Sequence, residues 1–557
     1  MRSKVGQAAG QAAGEGDPAE RPRPRWGPTA QVTAGNVVSR ATGLLRVLAI
    51  GGALGATFLG NVYQTANLVS NLLFELLAAG MLSSVLVPPF VALLDADRRD
   101  EAERLAGALL GLTLVVLGAV TLGGLLARPW IMRALTVTVP DAEVRQAEIR
   151  LGSFLLVFFL PQVLLYAVGA VATALLHSAR RFAAAALAPI ANNVLVIATM
   201  GIFWAVTDGG GSGGIGSGLS LDSGPRLLLA GGTTAGVLAM TAVPVVAARR
   251  AGLRLRPRWD PHHPGLRAIG RAGLWGAASL AASQVLLITT LVLANRVPGG
   301  VVAYQIAFTM FLFPHALLAH PVATTLYPRL AAEAVERRWD AFAASLGRGV
   351  RRIVFWTVPA TVLLAVLAVP ALRLIRIGAL DPAGAGLVAD VLVAYAFGIT
   401  GYAGIHLLTR ASYAAGDVRT PAAVGLGVAV GGSALMVAGF GAATGDDRVV
   451  VLGVAHSVAM VVGATILLAL VRRRVGEPVA VAGGAARAVV SAAVAALAAG
   501  AMAAAVDQTV AGDGRLAAAL TLVAAGGAGA AAYLATQRLL RAPELDRTRM
   551  VPAMEPR

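Results

Sequence analysis

Two arginines stand where arginine is expensive. The stretch NVVSRATGLLRVLAIGGALG (36–55) is otherwise apolar, yet it carries Arg40 and Arg46. At the centre of a membrane-spanning helix an arginine costs about 2.5–3.5 kcal/mol on insertion scales, so it needs a partner or a ligand. A guanidinium presents a planar fork of donors that fits phosphate or carboxylate oxygens. The chemistry in view is therefore the holding of an anion. Arg46 and Arg40 are the candidate binding residues. The next apolar segment holds one acid, Glu75, and Asn61, Asn67, Asn71 and Gln284 are weaker candidates to line the same cavity. Counted from the outer ends of two antiparallel helices at about 1.5 Å per residue, Arg46 lies about 12 Å deep, Arg40 about 21 Å and Glu75 about 20 Å. Arg40 and Glu75 are thus a candidate ion pair tying helix 1 to helix 2, with Arg46 left for phosphate. Equally open is that Glu75 faces elsewhere and both arginines meet the cargo.

The elements that must position these residues are membrane helices. Of 557 residues 57% are hydrophobic and only 13% charged, against about 25% charged in a typical soluble domain. Fourteen segments are long and apolar enough to span: 30–54, 62–93, 104–127, 149–177, 183–207, 226–248, 266–295, 301–328, 350–374, 385–410, 420–443, 449–471, 485–506 and 516–538. The net charge of +17 resides largely in alternate connections. The two tails and the even-numbered loops hold 34 Lys and Arg, and the odd-numbered loops hold 10. That bias places both termini in the cytoplasm and argues for a membrane surface, not nucleic acid, as the reason for the charge.

Other chemistries are poorly served. There is no cysteine, and the seven histidines show no metal-ligand spacing, so neither a metal nor another cofactor is expected. The connections are too short for a catalytic domain. The first outer loop, GATFLGN (55–61), has no carboxylate with which an enzyme could work. His315, His320 and His406 read as packed or interfacial.

The chain also repeats itself. LLAAGMLSSVLVPPFVALL (76–94) compares with LLAHPVATTLYPRLAAEA (317–334), and ALLHSARRFAAAALAP (174–189) with ASYAAGDVRTPAAVG (411–425), both at offsets near 240 residues. Six helices per copy keep the copies in the same orientation, which suits two lobes rocking about a central site. The expected fold class is all-α and polytopic: two six-helix lobes plus two C-terminal helices. Its divisions are a tail (1–28), an N-lobe (29–250), a linker (251–265), a C-lobe (266–475), the last two helices (476–541) and a tail (542–557). The linker's His262 and His263 are expected to be surface residues.

The segment from Asn36 to Leu94, together with RRFAAAALAPIANNV, FPHALLAHPVATTLYPRL and YAAGDVRTP, resembles the MurJ (MviN) family of lipid II flippases, in the superfamily that includes the MATE exporters. The likeness covers roughly residues 30–540 and looks closest to actinobacterial members. It implies a plasma-membrane protein that moves a polyprenyl-diphosphate-linked peptidoglycan precursor from the inner to the outer leaflet by alternating access, with Arg40 and Arg46 at the diphosphate. Membrane lipids and cell-wall synthesis or division proteins are the further partners it implies. The sequence departs from that pattern at Asn61, Phe74, Thr309 and Leu312, where well-known members carry charge. A less polar cavity is therefore expected. A flippase for another lipid-linked glycan, a non-transporting scaffold and a MATE-type exporter are the alternatives. The last needs cavity carboxylates, of which Glu75 is the one clear candidate. In the family the final helices form a groove for the lipid tail, while their Ala- and Gly-rich composition is equally suited to close packing.

Overall fold

The computed structural model describes residues 28–75, 87–207, 219–260, 284–376, 378–510 and 514–545. The Ser83–Ser84 pair, His262 and His263, most of the 208–224 connection and the greater part of both tails lie outside the described residues.

Every long element is helical. The N-terminal half holds α1 (Pro28–Leu54), α2 (Phe58–Phe74), α3 (Val87–Asp95), α4 (Arg99–Leu135), α5 (Ala142–Phe159), α6 (Gln162–Ser178), α7 (Ala183–Val206) and α8 (Ser223–Arg250). The C-terminal half holds α9 (Gln284–Ala294), then α10 (Gly300–Pro314), α11 (His320–Val335), α12 (Trp339–Val366), α13 (Ala368–Ile375), α14 (Pro382–Ala396), α15 (Ile399–Ala414), α16 (Arg419–Ala442) and α17 (Asp447–Val475). Two further helices, α18 (Ala482–Thr509) and α19 (Arg515–Leu539), follow. Among the described residues eleven helices are long and apolar enough to cross a membrane, and the pair α14–α15, bent by 44°, makes a twelfth. The other two expected spans, 62–93 and 266–295, run partly through residues outside the description.

Local sequence explains the breaks. α1 ends at Gly55, whose φ of 69° places it in the left-handed region that glycine enters freely. Thr57 then caps α2, its hydroxyl accepting from Gly60 N. Asp141 caps α5 and Asp381 caps α14 in the same way. After Pro314 the chain makes a π turn over His315–Ala319, because proline has no N–H for the helical ladder.

The duplication is visible in the backbone. Asp97 and Arg337, 240 residues apart, both hold φ at 55° without being glycine. Each sits in the same turn: Arg98 N donates to Leu93 O, and Arg338 N to Glu333 O, both at 2.9 Å. The α6–α7 and α15–α16 turns match likewise, with Arg181 N donating to Leu176 O and Asp417 N to Ser412 O.

Packing gathers the helices into two groups. In the first, α7 packs on α1 and α8, α6 on α8, and α2 on α5. Tyr63, Phe159, Leu160 and Phe203 form one of its buried centres. In the second, α10 packs on α14, and α17 on α14, α15 and α16. Its centre is Phe311, Tyr395 and their aliphatic neighbours. α18 and α19 lie against each other and against α12 and α13. A Cβ on Gly529 would stand 2.6 Å from Leu363 and 3.1 Å from Ala499, so close packing accounts for this small residue.

Candidate functional site

At one end the two halves are sewn together. Asn61 is fully buried and bridges them: its Nδ2 donates to Val297 O at 2.8 Å, and its Oδ1 accepts from Val301 N at 2.9 Å. Thr65 and Asn295 bond to each other, and Asn295 also reaches Leu135 O. Thr138 donates to Val292 O, and Ala379 N to Gly52 O. Two glycines permit the contact. Gly378 and Gly299 both have positive φ, and a Cβ there would stand 2.1 Å from Gly52 O and 2.4 Å from the Ala56 carbonyl carbon. The loops involved (55–57, 136–141, 295–299 and 376–381) are all odd-numbered connections of the sequence reading. Asn61 is therefore a strap between the halves: its neutral amide makes two buried backbone bonds, and it does not line the Arg46 cavity.

Away from that end lies a cavity of about 300 Å³ inside the N-terminal half. Arg46 lines it with Asn67, Asn71, Tyr166, Asn192 and Asn193. Arg46 is half-buried, and among the described residues its Nε has no hydrogen-bond partner. Some of the surrounding groups are held by their own bonds, while among the described residues Asn192 Oδ1 has no partner. Tyr63 and Thr233 hydroxyls lie 2.7 Å apart, and Asn193 Nδ2 donates to Ser39 O and to Thr42 Oγ1 at 3.0 Å. The walls are mostly neutral donors and acceptors, so the guanidinium supplies the charge and a bound anion would complete its hydrogen bonding. Arg46, Asn67 and Asn71 thus come together as candidates.

Arg40 takes another direction. It is exposed, and its charge reaches His315 and His320. Arg410 reaches the same two histidines and His406. The rings of His315 and His406 are 5.0 Å apart, both beside Tyr402. Arg40 and Arg410 thus both lie near the histidines of the π turn and α11. The sequence reading missed Arg410 by placing it at the end of its segment among loop cations. The signal that marked Arg40, an arginine in a run of apolar residues, was present there too.

Glu75 does not pair with Arg40. Its Oε2 accepts from Gln284 Nε2 at 2.8 Å, and among the described residues it makes no ion pair with Arg40. Matching depth puts two groups on one level; the azimuth around each helix decides who meets, and here α2 turns Glu75 towards α9. Gln284 is accordingly a cross-half partner of Glu75. The other positions that lack family charge have packing roles: Phe74 lies 5.1 Å from Tyr166, Thr309 donates to Gln305 O, and Leu312 joins the aromatic core.

Comparison with known proteins gives a consistent result. A family model described as lipid II flippase MurJ matches residues 50–520. A probable lipid II flippase MurJ of Rhizobium meliloti (strain 1021) is 27% identical over 406 residues, covering 72% of this chain and 73% of the relative. One from Vibrio cholerae serotype O1 is 26% identical over 406 residues, covering 71% and 74%. In fold the chain resembles a solved lipid II flippase MurJ in an inward closed conformation, with a TM-score of 0.71 and 17% identity over 91% of this chain and 98% of that one. It also resembles an inward-facing MATE transporter of the MOP superfamily, with a TM-score of 0.63 and 14% identity over 81% and 98%.

Proposed function

From the membership of this chain in the lipid II flippase MurJ family, we propose that it carries a polyprenyl-diphosphate-linked peptidoglycan precursor, lipid II, from the inner to the outer leaflet by alternating access. It is a membrane transporter and not an enzyme. The observation that carries the reading to residues is Arg46, a guanidinium on a polar cavity whose Nε has no partner among the described residues, in a chain of this family. Guanidinium N–H groups donate to phosphate oxygens in a bidentate fork, and the neighbouring asparagines leave room and donors for the rest of the head. Arg40 and Arg410 add positive charge elsewhere on the fold, near His315 and His320.

In this mechanism residues 29–250 and 266–475 act as lobes. The Asn61 strap and the Gly299 and Gly378 contacts close the outer gate while the head binds from the inner side. Rocking then breaks these hydrogen bonds, each worth about 0.5–1.5 kcal/mol net, and the head leaves outward while the tail stays in lipid. Both termini and the loops near Arg180, Arg254 and Arg338 are cytoplasmic on this reading, which the 34-to-10 distribution of basic residues supports. The chain contains no cysteine, so single-cysteine labelling reads orientation cleanly: Asp222→Cys should react with an impermeant maleimide in intact cells, and Arg338→Cys should not.

The test of function is replacement. Expressed in cells depleted of their own lipid II flippase, the chain should restore growth and the appearance of lipid II in the outer leaflet. Correct membrane insertion with no lipid II at the outer face would refute the assignment.

A further inference from the structure

A second cluster of arginines stands apart from the Arg46 cavity, on other elements of the fold. The middle of α12, the end of α17, the start of α18 and the turn at Pro543–Leu545 enclose an open pocket of about 550 Å³. None of these elements lines the Arg46 cavity. Arg351, Arg472 and Arg487 converge on the pocket. Arg351 Nη1 donates to Ala480 O, and Arg472 Nη2 donates to Val479 O at 2.6 Å. These bonds hold the Arg351 and Arg472 side chains, yet among the described residues Nε of Arg472 and of Arg487 are buried without a partner.

The backbone adds to this field. α18 begins in the pocket at Ala482, Gly483 and Gly484, and its N-cap residue, Val481, supplies no side-chain acceptor. Its first N–H groups and the positive end of its dipole therefore face the same space. The glycine is needed: a Cβ on Gly484 would stand 2.7 Å from Arg351 Cδ and 2.8 Å from Cγ.

One anion already sits there. The Glu544 carboxylate lies 3.3 Å from Arg351 Nε and 3.5 Å from Arg487 Nη2, with its side chain 10% exposed. It offsets one of three positive charges. We propose that this pocket binds the phosphate of an anionic glycerophospholipid headgroup from the adjoining leaflet, and that Glu544, carried on the C-terminal segment, competes for the arginines. A lipid rather than free phosphate is indicated by what borders the site: Val489 and Val490, just beyond Arg487 on α18, are 59% and 53% exposed and give acyl chains a surface to lie on. Basic residues at a membrane surface attract such lipids strongly.

The test uses the full-length protein in lipid nanodiscs and detergent. Native mass spectrometry should show phosphatidylglycerol retained in preference to phosphatidylcholine. Retention should fall about fivefold for each of Arg351→Gln and Arg487→Gln, and Glu544→Gln should raise it. Melting curves for each variant separate these effects from misfolding, and Glu544→Gln guards against it further because its expected change is a gain. Unchanged retention in the arginine variants, or a loss in Glu544→Gln, would overturn the proposal. Inorganic phosphate provides the other arm. If it stabilises wild type but not the double arginine variant, with no preference among lipids, the pocket holds free phosphate and the lipid assignment fails.

Discussion

In the N-terminal half, α1, α2, α6, α7 and α8 leave a cavity of about 300 Å³ walled by amides, phenols and one guanidinium. In the C-terminal half, the interior between α10, α14, α15 and α17 is filled with rings: Phe308, Phe311, Tyr395 and His456 pack with centroids 4.9 to 5.9 Å apart. Both halves share the turn that places Asp97 and Arg337 at the same φ, so the difference is one of filling and not of framework. A plugged bundle offers a polar head no volume, whereas a bundle with a charged, polar cavity does. The duplication thus leaves one half with a polar cavity and the other filled with rings, and the strap through Asn61 joins the two.

The comparison can be broken first at the plug. Phe311→Ala should destabilise the protein by about 3–5 kcal/mol, the usual cost of deleting a buried aromatic ring, read from thermal unfolding in detergent. Cargo affinity per folded molecule should hold, and a parallel loss of affinity would show that the ring-filled half also receives cargo. Next comes the strap. Asn61→Ala leaves Val297 O and Val301 N without their buried partner, at a cost of about 1–3 kcal/mol. Its reading is conformational: a spin-label or fluorophore pair across the 55–57 and 295–299 loops should report a larger open fraction. Gly378→Val should act in the same direction by blocking the approach to Gly52.

The smallest effect lies in the turns that the halves share. At the α15–α16 turn Asp417 accepts from Arg419 N and Thr420 N and pairs with Arg474 at 3.2 Å, whereas the equivalent place in the N-terminal half is Arg181. Burial, the largest single influence, pushes the Asp417 carboxyl up, but the Thr420 and Arg419 hydrogen bonds and the Arg474 charge together outweigh it and hold it below the usual carboxylate range. A lowered folded value means the stabilisation is complete above the unfolded value of about 3.9 and is lost as pH falls through the folded one. Asp417→Asn should therefore be less stable than wild type at neutral pH, and the gap in melting temperature should close in strong acid. A gap independent of pH would show that the carboxylate charge is not what caps this turn.

Much of the N-terminal half was legible in the residues alone, because an arginine in an apolar run is conspicuous and hydrophobic length fixes a span. Arg46 was singled out in that way, and the repeat offset survives as a pair of identical turns. What sequence distance cannot give is azimuth. Arg40 and Glu75 were expected at one depth but face different neighbours, and Gln284 meets Glu75 across 209 residues of chain. Asn61 looked like a cavity amide because its bonds run to backbone groups more than 230 residues away. Arg410 was hidden at a segment end, where a cation normally reads as a loop charge. The filling of the C-terminal half was equally invisible, since its aromatic residues are spread over α10, α14, α15 and α17.

The central claim is that the N-terminal half binds the diphosphate through Arg46. Equilibrium binding of a fluorescent lipid II analogue to the purified protein measures it directly, with wild type, Arg46→Lys and Arg46→Ala compared at matched melting temperature. Losing a hydrogen bond to a charged group should weaken binding of the Ala variant by about 10- to 100-fold, with Lys between the two because a point charge remains while the fork is gone. Binding by Arg46→Ala as tight as that of wild type would contradict the account.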